Sequence, residues 1–254
     1  MRFVYAAARV CAALALTAGV ASSSLAQVNL VQNGGFELTN GGGSPAGYGQ
    51  PGSNGLILTD WSNSGYNFLF NASNAITGVV GSDGSLALWG IGNGGFDPIV
   101  PSPAGGNFMA NDGAYEQGPI SQTIHGLTIG HSYTLGFYDA AAQQTGFTGD
   151  TTESWTVSLG SDLNVTTPTF SNPSMNFQFW QPEAYTFTAN ATSEVLSFLA
   201  NGTPTGEPPF SLLDGVSIYD NTPPPPTTPE PGSMASIFAG VFAIGTAVRR
   251  RIRN

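Results

Sequence analysis

The sequence predicts an all-β chain folded as an antiparallel β-sandwich of the jelly-roll type. Three observations predict it. Apolar runs between residues 27 and 222 are short and mostly alternate with polar residues. Turn formers separate them, within a chain holding 34 Gly and 18 Pro. No run of ten or more residues in this region shows a clear 3.6-residue period.

The elements follow in order. Residues 40–55 and 90–111 are Gly-rich and are expected to be loops. Tyr133, Leu135 and Phe137 fall on one face of a strand, with Ser132, Thr134, Gly136 and Tyr138 on the other. The stretch from Ala140 to Gln144 fits either a helical turn or the tail of that strand. Trp155, Val157 and Leu159 alternate, which assigns Trp155 to the core. Tyr185 with Phe187, Leu196 with Phe198, and Val216 with Ile218 complete the series. Asn-Gly-Gly-Phe occurs at Asn33 and again at Asn93, and nothing else repeats at that offset.

Composition narrows the function. Of 254 residues, 41% are hydrophobic and only 9% charged, with a net charge of -10. An ordinary soluble domain carries about 25% charged residues. Lys is absent, and the Arg residues sit at positions 2, 9, 249, 250, 251 and 253, so residues 10–248 carry no Lys or Arg. That excludes a nucleic-acid partner, which requires cations against phosphates. The single cysteine, Cys11, lies near the N-terminus, so neither disulfides nor a thiol nucleophile are expected beyond it.

Both ends read as addresses. Residues 1–26 have the form of a secretory signal peptide: Arg2 and Arg9, an apolar stretch over 10–20, then Ser24-Leu25-Ala26. Residues 223–231 form a Pro/Thr-rich tether ending in Pro229-Glu230-Pro231. An apolar run over 234–248 follows, then Arg249, Arg250, Arg251 and Arg253. As a helix the run would be about 22 Å long, a marginal span of a hydrocarbon core about 30 Å thick, with its arginines on the cytoplasmic side. Pro-Glu-Pro, a short apolar helix and an Arg cluster, in that order within residues 229–254, resemble the PEP-CTERM sorting signal of Gram-negative bacteria. The resemblance implies export, a transient stay in the inner membrane and processing by an exosortase. It also implies a final place at the cell surface or in an exopolysaccharide or biofilm matrix.

The central region, 27–222, carries a second resemblance. Its opening, Asn29-Leu30-Val31-Gln32-Asn33-Gly34-Gly35-Phe36-Glu37, is followed by Ile120-Ser121-Gln122-Thr123-Ile124 and Tyr133-Thr134-Leu135-Gly136-Phe137. Tyr185-Thr186-Phe187-Thr188-Ala189 and Leu213-Asp214-Gly215-Val216-Ser217-Ile218 close it. This order is similar to galactose-binding-like jelly rolls, which include several carbohydrate-binding modules. Gly215 departs from a closing motif that often carries a second acidic or amide residue.

Two ligands are expected on these grounds. Acidic residues without cationic neighbours repel one another, and an oxygen-rich Ca²⁺ site would relieve that repulsion. The resemblance implies that such an ion ties the first strand to the last, at the positions of Glu37 and Asp214. Asp112, in the turn-like Asn111-Asp112-Gly113, is a further candidate ligand. Glycans stack their apolar faces on exposed rings. Trp61, Trp89 and Trp180 are the candidate platforms, and Tyr48 and Tyr115 lie in Gly-rich segments. Catalytic motifs are weak. Gly130-His131-Ser132-Tyr133-Thr134 lacks the last glycine of a nucleophile elbow and reads as a turn entering a strand. His125 and His131 lack a third N/S ligand for zinc. The expected function is therefore a non-enzymatic, exported β-sandwich that binds or organises extracellular polysaccharide. A purely structural matrix protein, and a glycoside hydrolase or polysaccharide lyase on a jelly roll, are the alternatives.

Overall fold

The structure, a computed structural model, describes residues 27–222. The expected signal peptide, the tether with Pro229, Glu230 and Pro231, and the apolar run with its Arg tail lie outside the described residues. Among the described residues no helix is long and apolar enough to cross a membrane.

The strands are β1 (Ser62–Asn63), β2 (Asn67–Asn71), β3 (Val79–Gly81), β4 (Gly84–Leu86), β5 (Asn107–Asp112), β6 (Ile120–His125) and β7 (Ser132–Gln143). Then come β8 (Thr151–Leu159), β9 (Leu163–Thr166), β10 (Phe170–Asn172), β11 (Gln178–Thr188), β12 (Ser193–Thr203) and β13 (Pro209–Asp220). A 3-10 turn covers Ile91–Asn93. One sheet has the order β1-β6-β12-β8-β10, with β9 also on β8; the other runs β11-β7-β13-β5-β2; β3 and β4 form a separate hairpin. All pairings are antiparallel. From β5 to β8, and again from β11 to β13, successive strands alternate between the two sheets, which is the route of a jelly roll.

The main core lies between the sheets. Phe198 of β12 sits at its centre, with ring centroids 5.2 Å from Phe137, 6.0 Å from Trp155 and 6.4 Å from Trp61. Along the first half of β7 half-buried and buried residues alternate, with Tyr133, Leu135 and Phe137 inward, as the sequence pattern predicts.

A second core covers the opposite face of the five-stranded sheet. Phe68 and Phe70 of β2, Phe108 and Ala110 of β5, Ala140 and Ala142 of β7, and Phe210 and Leu212 of β13 pack there. Residues 72–103, including the β3–β4 hairpin, lay Ala75, Val79, Leu86 and Leu88 over them. Both faces of this sheet are thus buried, and all six residues of β5 are buried. This explains the ambiguous Ala140–Gln144 stretch. A strand buried on both faces loses the two-residue alternation, and small alanines fit between two layers. It is strand up to Gln143. The expected loop over 90–111 likewise ends in β5. The two Asn-Gly-Gly-Phe segments are not equivalent: Phe36 packs 5.2 Å from Trp61, whereas Phe96 is exposed.

Candidate functional site

The first described residues run alongside β13. Leu30 N–H donates to the Ile218 carbonyl at 3.0 Å, and Val216 N–H to the Gly34 carbonyl at 2.9 Å. A side chain at Gly34 would collide with the Val216 carbonyl, so only glycine permits this approach. The ladder of β13 shifts register between Asp214 and Ser217, where Gly215 is left-handed. This bulge and the turn at Phe36 bring Glu37 and Asp214 to one junction. Glu37 Oε1 accepts the Asn107 N–H at 2.7 Å. Asp214 is fully buried, its Oδ1 accepts the Gly215 N–H at 2.6 Å, and its Oδ2 has no hydrogen-bond partner. Burial pushes the Asp214 carboxyl up to about 7, against the pull of the Ser102 hydroxyl and the Gly215 N–H, and the Glu37 charge adds to the rise.

Asp112 does not join this pair. It stands opposite Phe210, four residues before Asp214 along β13, about 13 Å away at strand spacing. Asp112, the further candidate, therefore stands apart from the Glu37 and Asp214 pair. Among the described residues no three His, Cys, Asp or Glu residues converge on a metal-sized site.

Two of the tryptophans, Trp61 and Trp180, also need correction. Trp61 is 6% exposed, and its indole N–H donates to the Asn33 carbonyl at 3.0 Å. Trp180 is 9% exposed, and its indole N–H donates to Val100 at 3.0 Å. Both rings are core rings whose one polar atom is already satisfied. Trp89 is half-buried and donates to the Phe147 carbonyl at 2.8 Å. Neither Trp61 nor Trp180 presents an open platform. Tyr48 is half-buried, its hydroxyl accepting from Asn71 Nδ2 at 2.7 Å.

The exposed rings lie elsewhere. A pocket of about 330 Å³ opens where five connections meet: the β1–β2 and β3–β4 turns, and the β5–β6, β7–β8 and β12–β13 loops. Tyr115, 47% exposed, and Phe147, 37% exposed, line it together with Tyr66, Asp83, Asp112 and Gln144. Asp112 builds one wall: its Oδ1 accepts the backbone N–H groups of Ala114 at 2.8 Å and Tyr115 at 2.9 Å, a turn that fixes where the Tyr115 ring projects. Tyr66 meets Tyr115 edge-on, at 5.2 Å and 85°. The Tyr115 hydroxyl lies 3.4 Å from Asp83 Oδ2. Burial raises the Asp112 carboxyl to about 6, against the pull of its two N–H partners. Burial and then Asp83 and Asp112 push the Tyr66 phenol up to about 12. The pocket is thus electronegative, walled by aromatic rings and open to solvent.

Sequence reasoning singled out Tyr115 by its Gly-rich setting but missed Phe147 and Asp83. Their convergence depends on loops far apart in the chain, and no local pattern encodes it.

A second groove of about 330 Å³ lies along Thr152, Ser154, Thr169, Asn201 and Thr203 of the six-stranded sheet and its margin. It has hydroxyls and amides but no ring. The histidines are apart and separately engaged. His125 Nδ1 is 3.1 Å from Ser193 Oγ, and His131 Nδ1 is 2.8 Å from Asp220 Oδ2.

No protein-family model matches the chain. Among curated proteins it is similar to halomucin of Haloquadratum walsbyi, with 31% identity over 223 residues, covering 85% of this chain and 2% of halomucin. The chain therefore spans a very small part of that relative. Among solved structures it is similar to the N-terminal cellulose-binding domain of Cellulomonas fimi β-1,4-glucanase C, with 18% identity, covering 57% of this chain and 88% of that one, at a TM-score of 0.30. It is also similar to a cyclase from Fischerella sp. TAU, with 15% identity, covering 78% of this chain and 100% of that one, at a TM-score of 0.41. Identities and scores this low transfer no residue role, and the site stands on its own geometry.

Proposed function

We propose that the chain is an exported, non-enzymatic β-sandwich that binds extracellular polysaccharide through the Tyr115–Phe147 pocket. The observation that carries this reading is the convergence of two solvent-exposed rings with Asp83, Gln144 and Asp112 around one opening. A sugar offers C–H faces to the rings and hydroxyls to the amide and carboxylates, and a pocket with few convergent polar groups orients it. Export is supported by the signal-peptide pattern in residues 1–26 and the Pro-Glu-Pro, apolar and Arg segments of residues 229–254. On this reading an exosortase processes the chain at the inner membrane before it reaches the surface or matrix.

The same proposal includes a structural Ca²⁺ held by Glu37 and Asp214. The buried, unpartnered Asp214 Oδ2 and the neighbouring Glu37 carboxylate, with no Lys or Arg between residues 10 and 248, suit a hard oxygen-seeking cation. Bound there, the ion would supply charge neutralisation and cross-link the first segment to β13. Asp214 fixes the bulge through Gly215, and Glu37 fixes the start of β5 through Asn107.

A glycan array probed with the chain, its Tyr115→Ala variant and its Phe147→Ala variant tests the binding reading. The expected result is saturable binding to a defined polymer that falls at least about tenfold in each variant, the loss of one stacking contact worth roughly 1–2 kcal/mol. Binding unchanged in both variants overturns the site. One observation favours the glycoside hydrolase or lyase alternative: Asp112, raised to about 6, shares a pocket with Asp83. Release of reducing ends or unsaturated ends from the bound polymer would replace the binding reading with that one.

A further inference from the structure

The pocket carries a second, more specific property, its charge. Asp83 and Asp112 both line it, and Glu116 adjoins it, close enough for its charge to raise the Tyr115 phenol. Asp112 is 1% exposed, and its Oδ2 has no hydrogen-bond partner. No Lys or Arg between residues 10 and 248 offsets these charges, and both histidines are engaged elsewhere. The Tyr66 and Tyr115 rings stand at 85° to one another, 5.2 Å apart, and Phe147 lines the same opening.

A neutral sugar would satisfy the rings and leave the carboxylates without a counter-charge. A uronate would be repelled by them. A cation meets both features, because ring faces attract an ammonium within about 6 Å and a partly desolvated carboxylate attracts it further. Resting on the glycan-binding reading, we propose that this pocket takes an amine-bearing sugar residue, its ammonium held between the aromatic rings and the Asp83 and Asp112 carboxylates. The chain would thereby recognise a polymer containing free amino sugars and discriminate against its N-acetylated form. Acetylation removes the charge while keeping the ring and hydroxyls.

Calorimetric titration of the full chain with three oligosaccharides of equal length tests this: a glucosamine tetramer, its N-acetylated counterpart and cellotetraose. The expected result is that the glucosamine tetramer binds at least about tenfold more tightly than the other two. Asp83→Asn, at an exposed hairpin-turn position that does not threaten the fold, should reduce that preference several-fold. Asp112→Asn should do so too while keeping its Oδ1 acceptor. Tyr115→Ala should weaken all binding. Equal affinity for the three tetramers, all lost in Tyr115→Ala, overturns the amine preference and leaves the glycan reading standing. Absence of binding to any tetramer or to the glycan array overturns both. A preference for the amine that survives Asp83→Asn and Tyr115→Ala marks general attraction to an acidic surface, and it too overturns the proposal.

Discussion

The two sheets share one core yet treat their outer faces in opposite ways. The outer face of the six-stranded sheet is polar and partly exposed, set with Thr152, Ser154, Thr156, Asn201 and Thr203, and its contacts are hydroxyl pairs such as Thr152 with Thr203 at 2.6 Å. The outer face of the five-stranded sheet is a second apolar core roofed by residues 72–103. An open, ring-bearing sheet face is one way to hold a sugar chain. Here the rings on that face are consumed by the roof, and the exposed rings lie at the roof's margin, where the β3–β4 turn meets four other connections. Aromatic content alone therefore does not locate a binding face; what covers the aromatics decides it.

Hollowing the core beneath the roof is the most severe way to test this contrast. Phe108 is fully buried, 6.2 Å from Phe70 and 5.5 Å from Trp180. Phe108→Ala and Trp180→Ala should each cost about 3–5 kcal/mol in denaturant unfolding, as should Trp61→Ala in the inter-sheet core. Thr156→Ala on the open face should stay within about 1 kcal/mol. A cost for Trp180→Ala as small as that of Thr156→Ala would mean that the five-stranded face is open after all.

The interior acids give the next largest effect. Burial raises Glu153 to about 8, Asp139 to about 7, Asp214 to about 7 and Asp112 to about 6, all above their unfolded values. Between roughly pH 4 and pH 8 the native state therefore holds more protons than the unfolded chain. Stability is greatest on the acidic side, falls as pH rises through this window and levels off above it. Asp220 runs the other way, lowered by its hydrogen bond to His131, but it is near the surface and its effect is small. Thermal melts should show a lower Tm at pH 8 than at pH 5, worth on the order of a few kcal/mol for Glu153 alone. Glu153→Gln, which can keep the Thr151 hydroxyl bond, should flatten the slope. A Tm that rises from pH 5 to pH 8 would contradict the burial of these groups in neutral form.

Calcium should separate two of these acids. At pH 8, added Ca²⁺ should raise the Tm and a chelator lower it, by about 2.7 kcal/mol of stability at a hundredfold excess over Kd. Glu37→Gln should abolish most of the response, and Asp112→Asn should leave it intact, because Asp112 pairs with Phe210, four residues along β13 from the Asp214 that Glu37 adjoins. A melt indifferent to both additions removes the ion from the proposal.

How much of this was legible in the sequence depended on whether a feature is local. Tyr133, Leu135 and Phe137 alternate because one side of their strand faces the core and the other does not, so the pattern names the strand. Ala140-Ala141-Ala142 on the same strand carries no pattern, because both sides are covered. The approach of Glu37 to Asp214 was legible through the resemblance of the opening and closing segments. The separation of Asp112 from them was not, since it follows from the β5–β13 register. Trp61 and Trp180 sit beside turn residues in sequence but inside cores in space, because residues 34–37 and 72–103 fold over them. Phe147 and Asp83 gave no signal, since neither lies in a motif.

The smallest expected effect bears most directly on function. Tyr115 makes one edge-on contact with Tyr66 and one long contact with Asp83, and nearly half its surface is already in water. Truncation to alanine forfeits little buried area, so Tyr115→Ala should cost no more than about 1 kcal/mol of stability. Phe147→Ala should behave alike, because the Trp89 indole bonds to its backbone carbonyl and not to its ring. A ring so weakly used by the fold, yet placed by a turn with two backbone bonds to a buried carboxylate, is open to the ligand proposed above. If instead Tyr115→Ala destabilises the domain as much as Trp180→Ala, the pocket is a seam of the second core. The difference between roof and margin would then vanish.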